Sequence, residues 1–256
     1  MKRKFLFYIL IFDSFFLAGI FWYLGFNWTW ILFPFLVLLI FIVIVSSKIQ
    51  FNFFIPAIHS GDKNSQKIAL TFDDGPHPIY TPKVLELLKK HRAKASFFLI
   101  GENLKKHPYL VERILDEGHS IGNHSFTHSK TIDFKGKARW LKEIEETDLE
   151  IQKITGKKPK FFRPPYGVTT PHLADALEKT GHLTIGWNQR TYDTILRNPK
   201  KILSKLRKNL KAGDIVLLHD SHENIIPILE HLLPEVERKN LSFVTINELI
   251  NEEPYF

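Results

Sequence analysis

The N-terminal segment limits what this chain can fold into more than any other part of the sequence. Residues 5–47 form a predominantly apolar run in which Asp13 is the only Asp, Glu, Lys, Arg or His. A helix needs about 20 residues to cross the ~30 Å hydrocarbon core of a bilayer, so the run is long enough for two crossings. The polar break at residues 25–29 is flanked by interface-type aromatic residues, namely Trp22, Tyr23, Trp28 and Trp30. The sequence predicts a transmembrane hairpin with spans at about 5–24 and 30–47, within an anchor and linker covering residues 1–60.

A cleaved signal peptide is the alternative for this segment, because it too places basic residues before an apolar stretch. Here the apolar run continues too far, and no small-residue cleavage site follows at a suitable distance. Positive charge lies before the first span, at residues 2–4, and after the second, at Lys48. The positive-inside bias therefore predicts that the rest of the chain lies on the cytoplasmic face of a bacterial cytoplasmic membrane, with membrane lipid as a partner.

Residues 61–256 are expected to form one further domain. The chain has no cysteine, which excludes a disulfide framework, a thiolate zinc site and a cysteine nucleophile. Its net charge is +8, and the densest basic stretch, 200–211, has apolar residues at helical spacing. This pattern predicts an outer helix whose basic face is solvated or contacts anionic lipid headgroups. Basic residues are not interleaved with aromatic ones, so nucleic acid is not an expected partner.

Strand and helix patterns alternate through this domain. Seven short apolar runs read as strands, over 67–72, 95–100, 119–122, 161–163, 183–187, 214–218 and 241–245. Repeated strand–helix units of this length predict a parallel sheet. The number of strands favours an α/β fold built as an incomplete (β/α)7-type barrel, although periodicity alone does not separate it from an open doubly wound sheet.

Polar clusters follow four of these strands. An Asp-Asp-Gly-Pro turn follows the first, and a His-x-x-x-His pair follows the third, a spacing that can place two imidazoles on one side of a helical turn. Arg163 is the last residue of the fourth strand, and His219 follows the sixth. Each cluster alone is explained by a surface turn or a chance pair. Because chemistry in barrel folds gathers at the carboxyl ends of strands, four clusters in this position favour one site.

The residue types in these clusters suit hydrolysis of an amide. Two His and one Asp can bind a metal and leave one coordination position open for water. The second Asp can take a proton from that water, with Arg163 holding it ionised. His219 could protonate the leaving nitrogen, and a backbone N–H near Tyr166 could stabilise the oxyanion.

Taken in order, the motifs resemble those of the polysaccharide deacetylases of the NodB-homology type, carbohydrate esterase family 4. The resemblance covers roughly residues 67–250 and rests on 71–76 (TFDDGP), 124–128 (HSFTH), 163–166 (RPPY) and 217–220 (LLHD). It implies that residues 61–256 are a NodB-type deacetylase domain with an incomplete barrel fold. The roles it implies are Asp73 as base, Asp74, His124 and His128 as metal ligands, His219 as acid, Arg163 and Tyr166 as further catalytic residues, and Pro165, Trp187 and Leu217 as substrate contacts.

The resemblance also implies a substrate and a cofactor. The substrate would be an N-acetylated glycan such as chitin or peptidoglycan, or a lipid-linked amino sugar at the membrane. Most members of the family act on glycans outside the membrane, which would require the orientation opposite to the one that the charges predict, so the face of the membrane stays open. The reaction would be hydrolysis of the linear amide carbon–nitrogen bond. His and carboxylate ligands suit Zn²⁺ as the divalent metal, with Co²⁺, Ni²⁺ or Fe²⁺ as alternatives.

One position departs from the family pattern. Arg190 stands where the family usually has an Asp that pairs with the acid His, so either Asp193 substitutes or His219 works unpaired. An unpaired His219 would titrate lower than in relatives that carry the Asp. Arg190 is also the only support for a membrane-anchored glycan-binding protein that has lost catalysis. A third reading, the two-His-one-carboxylate site of a non-haem iron oxygenase, leaves Asp73 and His219 unexplained.

Overall fold

Two long apolar helices begin the chain in the computed structural model, which describes residues 2–196 and 198–256. They are α1 (Lys2–Tyr23) and α2 (Trp28–Ser47), and they pack against each other. Asn27 caps α2, because its side-chain oxygen accepts the backbone N–H of Thr29 at 3.2 Å. By length and composition both helices are candidate membrane spans, over Phe5–Tyr23 and Trp28–Ser47, although a signal sequence near the N-terminus meets the same criterion.

Strands and helices then alternate, as predicted. The strands are β1 (Ala57–Ile58), β2 (Lys67–Gly75), β3 (Ala95–Leu99), β4 (Ser120–Asn123), β5 (Phe161–Phe162), β6 (Leu183–Ile185), β7 (Gln189–Arg190), β8 (Ile215–His219) and β9 (Ser242–Val244). The helices are α3 (Tyr80–Lys90), α4 (Gly101–Lys106), α5 (Pro108–Asp116), α6 (Lys137–Thr155), α7 (Pro171–Thr180), α8 (Pro199–Asn209), α9 (Ile225–Arg238) and α10 (Ile246–Ile250). The ends of α7 follow from its sequence: Thr170 caps it, Pro171 begins it and Gly181 ends it with φ 78°.

The strands form one curled sheet in the order β1-β6-β5-β4-β3-β2-β8-β7, with β9 beside the start of β2. The pairings between these strands are parallel, so their carboxyl ends lie along one edge. The central strand β2 is buried on both faces, which explains its continuous apolar run from Ile68 to Leu70. The predicted incomplete α/β barrel is confirmed.

Two strands were not predicted. β1 and β7 have two residues each, too short for any periodicity to show. β1 lies in the segment predicted as linker, yet it pairs with β6. After β3 two short helices follow each other: α4 and α5 are separated only by His107, and Pro108 takes the first position of α5.

The N-terminal helices contact the sheet domain near the carboxyl edge of the sheet. Val45 of α2 is buried in an apolar cluster with Phe54 and Leu173. The backbone N–H of Thr169 donates to the Ser46 carbonyl at 2.9 Å. Just beyond α2, the Gln50 side-chain amide donates to the Trp187 carbonyl at 3.1 Å. The end of α2 is therefore packed directly beside the loops that follow β5 and β6.

Candidate active site

A bulge at the end of β2 turns two successive carboxylates toward one cavity. In a regular strand, neighbouring side chains point to opposite faces. Here the register to β3 passes from Asp73–Phe98 to Gly75–Leu99, so Asp74 is the extra residue, and its φ is 72°. The Asn103 side-chain amide donates to the Asp74 carbonyl at 2.9 Å and holds this conformation. Asp73 and Asp74 consequently both line the cavity.

The two histidines lie in the loop after β4, and the helical turn considered for them is wrong. Residues 124–128 are not helical, and Ser125 and His128 have φ values of 63° and 49°. The imidazoles nevertheless meet, with ring centres 5.0 Å apart. The two residues in the left-handed conformation bend the loop so that both imidazoles lie on the same side of it, as they would on one face of a helix.

Glu143 of α6 holds this loop from behind. Its carboxylate is almost fully buried and accepts the backbone N–H groups of Phe126 at 2.9 Å and Thr127 at 2.7 Å. It also accepts the Thr127 hydroxyl and a donor from Arg139. Because a buried carboxylate is stabilised by such donors, Glu143 fixes the path of the loop that carries His128.

Asp74, His124 and His128 form a donor set that fits a divalent metal. Their ligand atoms all lie within 4.8 Å of one another. Nδ1 of His124 donates to the Arg163 carbonyl at 2.8 Å, which leaves Nε2 facing the carboxylates. A ring held by a backbone carbonyl in this way is the usual arrangement of a metal-binding histidine. Burial opposes ionisation of Asp74, but the hydrogen bond and charge of His124, with the charge of His128, lower its pKa to about 2.

Arg163 is completely buried beneath Asp73. Its Nη1 donates to Asp73 Oδ1 at 2.7 Å and to the Thr71 hydroxyl at 2.8 Å, and its guanidinium carbon lies 4.0 Å from the centre of the Phe98 ring. Burial lowers the pKa of Arg163 while the charge and hydrogen bond of Asp73 raise it, and a guanidinium keeps its proton in proteins. Asp73 is thus oriented by a fixed cation.

Asp193 pairs with His219. Its Oδ1 lies 2.9 Å from Nδ1 of His219, and its Oδ2 accepts the His219 backbone N–H at 2.8 Å. Burial of the ring opposes its charged form, but the hydrogen bond and charge of Asp193, with Asp73 and Asp74, raise the pKa of His219 to about 9. Asp193 therefore substitutes for the carboxylate that seemed missing. Of the two alternatives that the sequence left open, the unpaired His219 with a lowered pKa is the wrong one, because Asp193 supplies the opposite charge.

The same carboxylate reaches a second histidine. His222 Nε2 lies 3.3 Å from Asp193 Oδ2, so Asp193, His219 and His222 form a second group whose ligand atoms could surround an ion. Asp193 also accepts the Thr191 hydroxyl at 2.7 Å. Burial alone would raise the pKa of Asp193, but the hydrogen bonds from the two histidines lower it well below its usual range. With its oxygens engaged in this way, the group is better described as a hydrogen-bond network that orients His219.

The predicted residues converge on a cavity of about 400 Å³. Those that line it are Asp73, Asp74, His124, His128, Tyr166, Trp187, Arg190, Leu217 and His219. Arg163 and Asp193 are buried behind it and act on it through their partners. Pro165 is buried in the turn before Tyr166 and is not among the lining residues, so its substrate contact stays a prediction.

Tyr166 stands at the rim of the cavity in a left-handed conformation, with φ 58°. Its ring centre is 4.6 Å from that of His128, and its hydroxyl donates to the His128 carbonyl at 3.3 Å. A bulky residue at positive φ is uncommon and is found where the surroundings enforce it. The rigid Pro-Pro sequence before it and this contact hold the Tyr166 backbone beside the candidate ligands.

Several site residues were not recognised in the sequence. The cavity is also lined by Tyr192, Thr194 and Ile195, and His222 and Glu143 hold other site residues in place. The His-x-x-His spacing of His219 and His222 was a visible signal. Glu143 gave none, since it is one of several acidic residues on a helix that is charged along its surface.

Comparison with known proteins identifies the family of the chain. A family model described as polysaccharide deacetylase matches residues 60–185. A peptidoglycan N-acetylglucosamine deacetylase of Bacillus cereus is 38% identical over 198 residues, which are 73% of this chain and 89% of the relative. A peptidoglycan N-acetylmuramic acid deacetylase of Bacillus subtilis is 33% identical over 201 residues, covering 77% of this chain and 76% of the relative.

A solved structure shows the same fold. The crystal structure of the Bc1960 peptidoglycan N-acetylglucosamine deacetylase superposes with a TM-score of 0.73 at 31% identity. The superposition covers 77% of this chain and 94% of that one. The curled parallel sheet described above is thus the fold of a deacetylase with related sequence.

Proposed function

The chain belongs to the polysaccharide deacetylase family, and we propose that it is a metal-dependent hydrolase that acts at a membrane surface. It removes N-acetyl groups from the amino sugars of peptidoglycan or of a lipid-linked sugar. One observation carries the proposal: Asp73 and His219 are register partners on neighbouring strands, and both line the cavity that contains the candidate metal ligands. A base and an acid are thereby available on one bound amide.

The metal would be held by Asp74, His124 and His128, most suitably Zn²⁺, with Co²⁺, Ni²⁺ or Fe²⁺ as alternatives. When bound, it would polarise the amide carbonyl and acidify the attacking water. Other parts of the cavity would contact the substrate directly. Trp187 and Leu217 offer an apolar wall for the acetyl methyl group.

Asp73 acts as the general base. It takes one proton from the water as the oxygen attacks the carbonyl carbon, and Arg163 balances its charge before that transfer. Because Arg163 is fully buried and makes hydrogen bonds on both sides, the carboxylate cannot swing away from the cavity. A backbone N–H beside Tyr166 is the proposed donor to the oxyanion.

His219 acts as the general acid. Nδ1 donates to Asp193, so Nε2 is the ring nitrogen that faces the substrate. As the carbon–nitrogen bond breaks, His219 gives its proton to the leaving nitrogen, and the products are acetate and the free amine. A pKa of about 9 keeps this group protonated at neutral pH, as an acid requires. The Asp193 pairing supports catalysis over the alternative of a membrane-anchored glycan-binding protein, because it supplies the carboxylate that Arg190 does not.

The contacts of α2 support a membrane anchor that remains on the mature protein. Cleavage after this segment would uncover the apolar cluster around Phe54 and Leu173. Gly167 lines the cavity and is two residues from Thr169, which bonds to Ser46 at the end of α2. Two residues span at most about 7 Å, so the sugar would be bound close to the membrane surface.

Which of the two substrates is available depends on the side of the membrane on which the sheet domain lies. The charge pattern around the spans favours the cytoplasmic face, where a lipid-linked amino sugar is the available substrate. The basic face of α8 would then help to dock that substrate at anionic headgroups. On the outer face the substrate would be peptidoglycan.

Acetate release tests the proposal. The full chain, purified in detergent, is incubated with chitin oligomers, peptidoglycan strands and polyprenyl-linked N-acetylglucosamine. We expect acetate and a matching amount of free amine from at least one of them, with most of kcat lost in Asp73→Asn while the metal stays bound. Absence of acetate from all three with metal bound would contradict the proposal.

A further inference from the structure

Arg190 is a cation in the cavity that the proposed chemistry does not use. It is the register partner of Leu217 in the sheet, and both side chains line the cavity. Its guanidinium carbon is 5.7 Å from the centre of the Trp187 ring and 4.8 Å from that of Tyr192. Aromatic rings hold a guanidinium in position without neutralising its charge. Its neighbour in the strand, Gln189, points elsewhere and binds Asp214.

The carboxylates of the site are engaged by other groups. Asp73 pairs with Arg163 at 2.7 Å and Asp193 with His219 at 2.9 Å. Asp74 lies against the two candidate metal-binding histidines. Within residues 2–196 and 198–256, Arg190 has no ion-pair partner. Its donors are therefore presented to whatever occupies the cavity.

A second positive charge lies close to Arg190. Nζ of Lys205, on α8, is 5.1 Å from the centre of the same Tyr192 ring that Arg190 covers. Two cations beside one aromatic ring make this side of the cavity positive. Asp73 and Asp74 lie instead on β2, His124 directly after β4 and His128 in the loop that follows. An acidic group on a bound sugar would be attracted to the side of the cavity that Arg190 lines.

We propose that Arg190 binds an anionic group of the substrate, so that the preferred substrate is an N-acetylated amino sugar carrying a carboxylate or a phosphate near the acetamido group. This inference rests on the proposed function and narrows it. Either group offers two oxygens to a planar guanidinium, whose paired N–H donors match them. A neutral N-acetylglucosamine polymer makes no such contact.

The two anions have different sources. A carboxylate is present on the lactyl ether of muramic acid, but only where no peptide is attached, because the peptide converts it to an amide. A phosphate is present on a lipid-linked sugar. Both are recognised by the same guanidinium chemistry, and a substrate panel separates them.

The test compares three substrates on the full chain in detergent: neutral chitin oligomers, peptide-free peptidoglycan strands, and polyprenyl-phosphate-linked N-acetylglucosamine. Strands whose carboxylates have been amidated with carbodiimide serve as the uncharged match. We expect Arg190→Met, which keeps the stacked stem, to lower kcat/KM about 10- to 100-fold on one anionic substrate, with a smaller loss on the neutral oligomer. The wild-type preference should weaken as salt is added. Arg238→Met, at a side chain 69% exposed at the end of α9, is the matched control and should change neither ratio.

The result distinguishes the two proposals. Equal losses on neutral and anionic substrates in Arg190→Met, or a wild-type enzyme that does not prefer either anion, would overturn the Arg190 inference while leaving the deacetylase standing. If no substrate releases acetate, the proposed function fails. Calorimetric binding of the anionic and neutral sugars then tests whether Arg190 binds the anion. Equal affinities of the wild type and Arg190→Met for the anionic sugars would overturn that role.

Discussion

Replacing Asp193 with asparagine should move the alkaline limb of the pH–rate profile to lower pH. His219 must be protonated to act as an acid, so activity falls as pH rises through its pKa, which is about 9 with Asp193 present. Asparagine keeps the shape and one acceptor oxygen but removes the charge. Burial of the ring then dominates, and the pKa should fall to the model-peptide value of about 6.5 or below.

The size of the effect follows from this difference. A shift of about 2.5 pH units corresponds to roughly 3 kcal/mol of interaction between the imidazolium and the carboxylate. At pH 8 about 90% of His219 is protonated in the wild type, against about 3% in the variant, so kcat should fall about 30-fold. At pH 6 the loss should be less than about twofold.

The assay is acetate release measured from pH 5 to pH 10 for both proteins, with thermal melts at each pH. His222→Gln is the control, since it removes the second histidine but leaves the Asp193 charge in place. Its alkaline limb should stay near that of the wild type. A uniform loss of activity in Asp193→Asn with an unmoved alkaline limb would refute the reasoning and reduce Asp193 to a structural role.

Three further predictions concern the metal, the loop and the membrane. Chelation should abolish acetate release and Zn²⁺ or Co²⁺ should restore it in the wild type but not in Asp74→Ala; full activity after exhaustive chelation would contradict the metal site. Glu143→Gln should lower the free energy of unfolding by about 1–3 kcal/mol, because the new amide N–H would face backbone N–H donors. It should also weaken metal binding in a titration. Glu145→Gln, at an exposed position of the same helix, is the control and should change neither quantity. In spheroplasts, external protease should leave the sheet domain intact if the charge pattern sets its orientation, and digestion from outside would place the domain, and its substrate, on the other face.

Local sequence determined the elements and the position of the chemistry along the chain. The apolar runs, the Gly and Pro punctuation and the caps of α7 depend on neighbours a few residues away, so their pattern is legible without the fold. The polar clusters directly follow strands in the sequence, and a parallel sheet necessarily gathers the carboxyl ends of its strands along one edge. For this reason Asp73, His124 and His219 could be assigned to one site in advance.

Tertiary structure decided which of these groups touch. Asp193 meets His219 because β7 pairs with β8, and a two-residue strand leaves no periodic trace from which that pairing could be predicted. The bulge that turns Asp74 beside Asp73 is a matter of register with β3, and the support that Glu143 gives comes from a helix packed behind the loop. The same pairing of β7 with β8 brings Arg190 to the cavity wall, a position the sequence identified only as a departure. Contacts between segments distant in the chain depend on how the sheet curls, and that geometry is set by the packing of all its layers together, which no local pattern records.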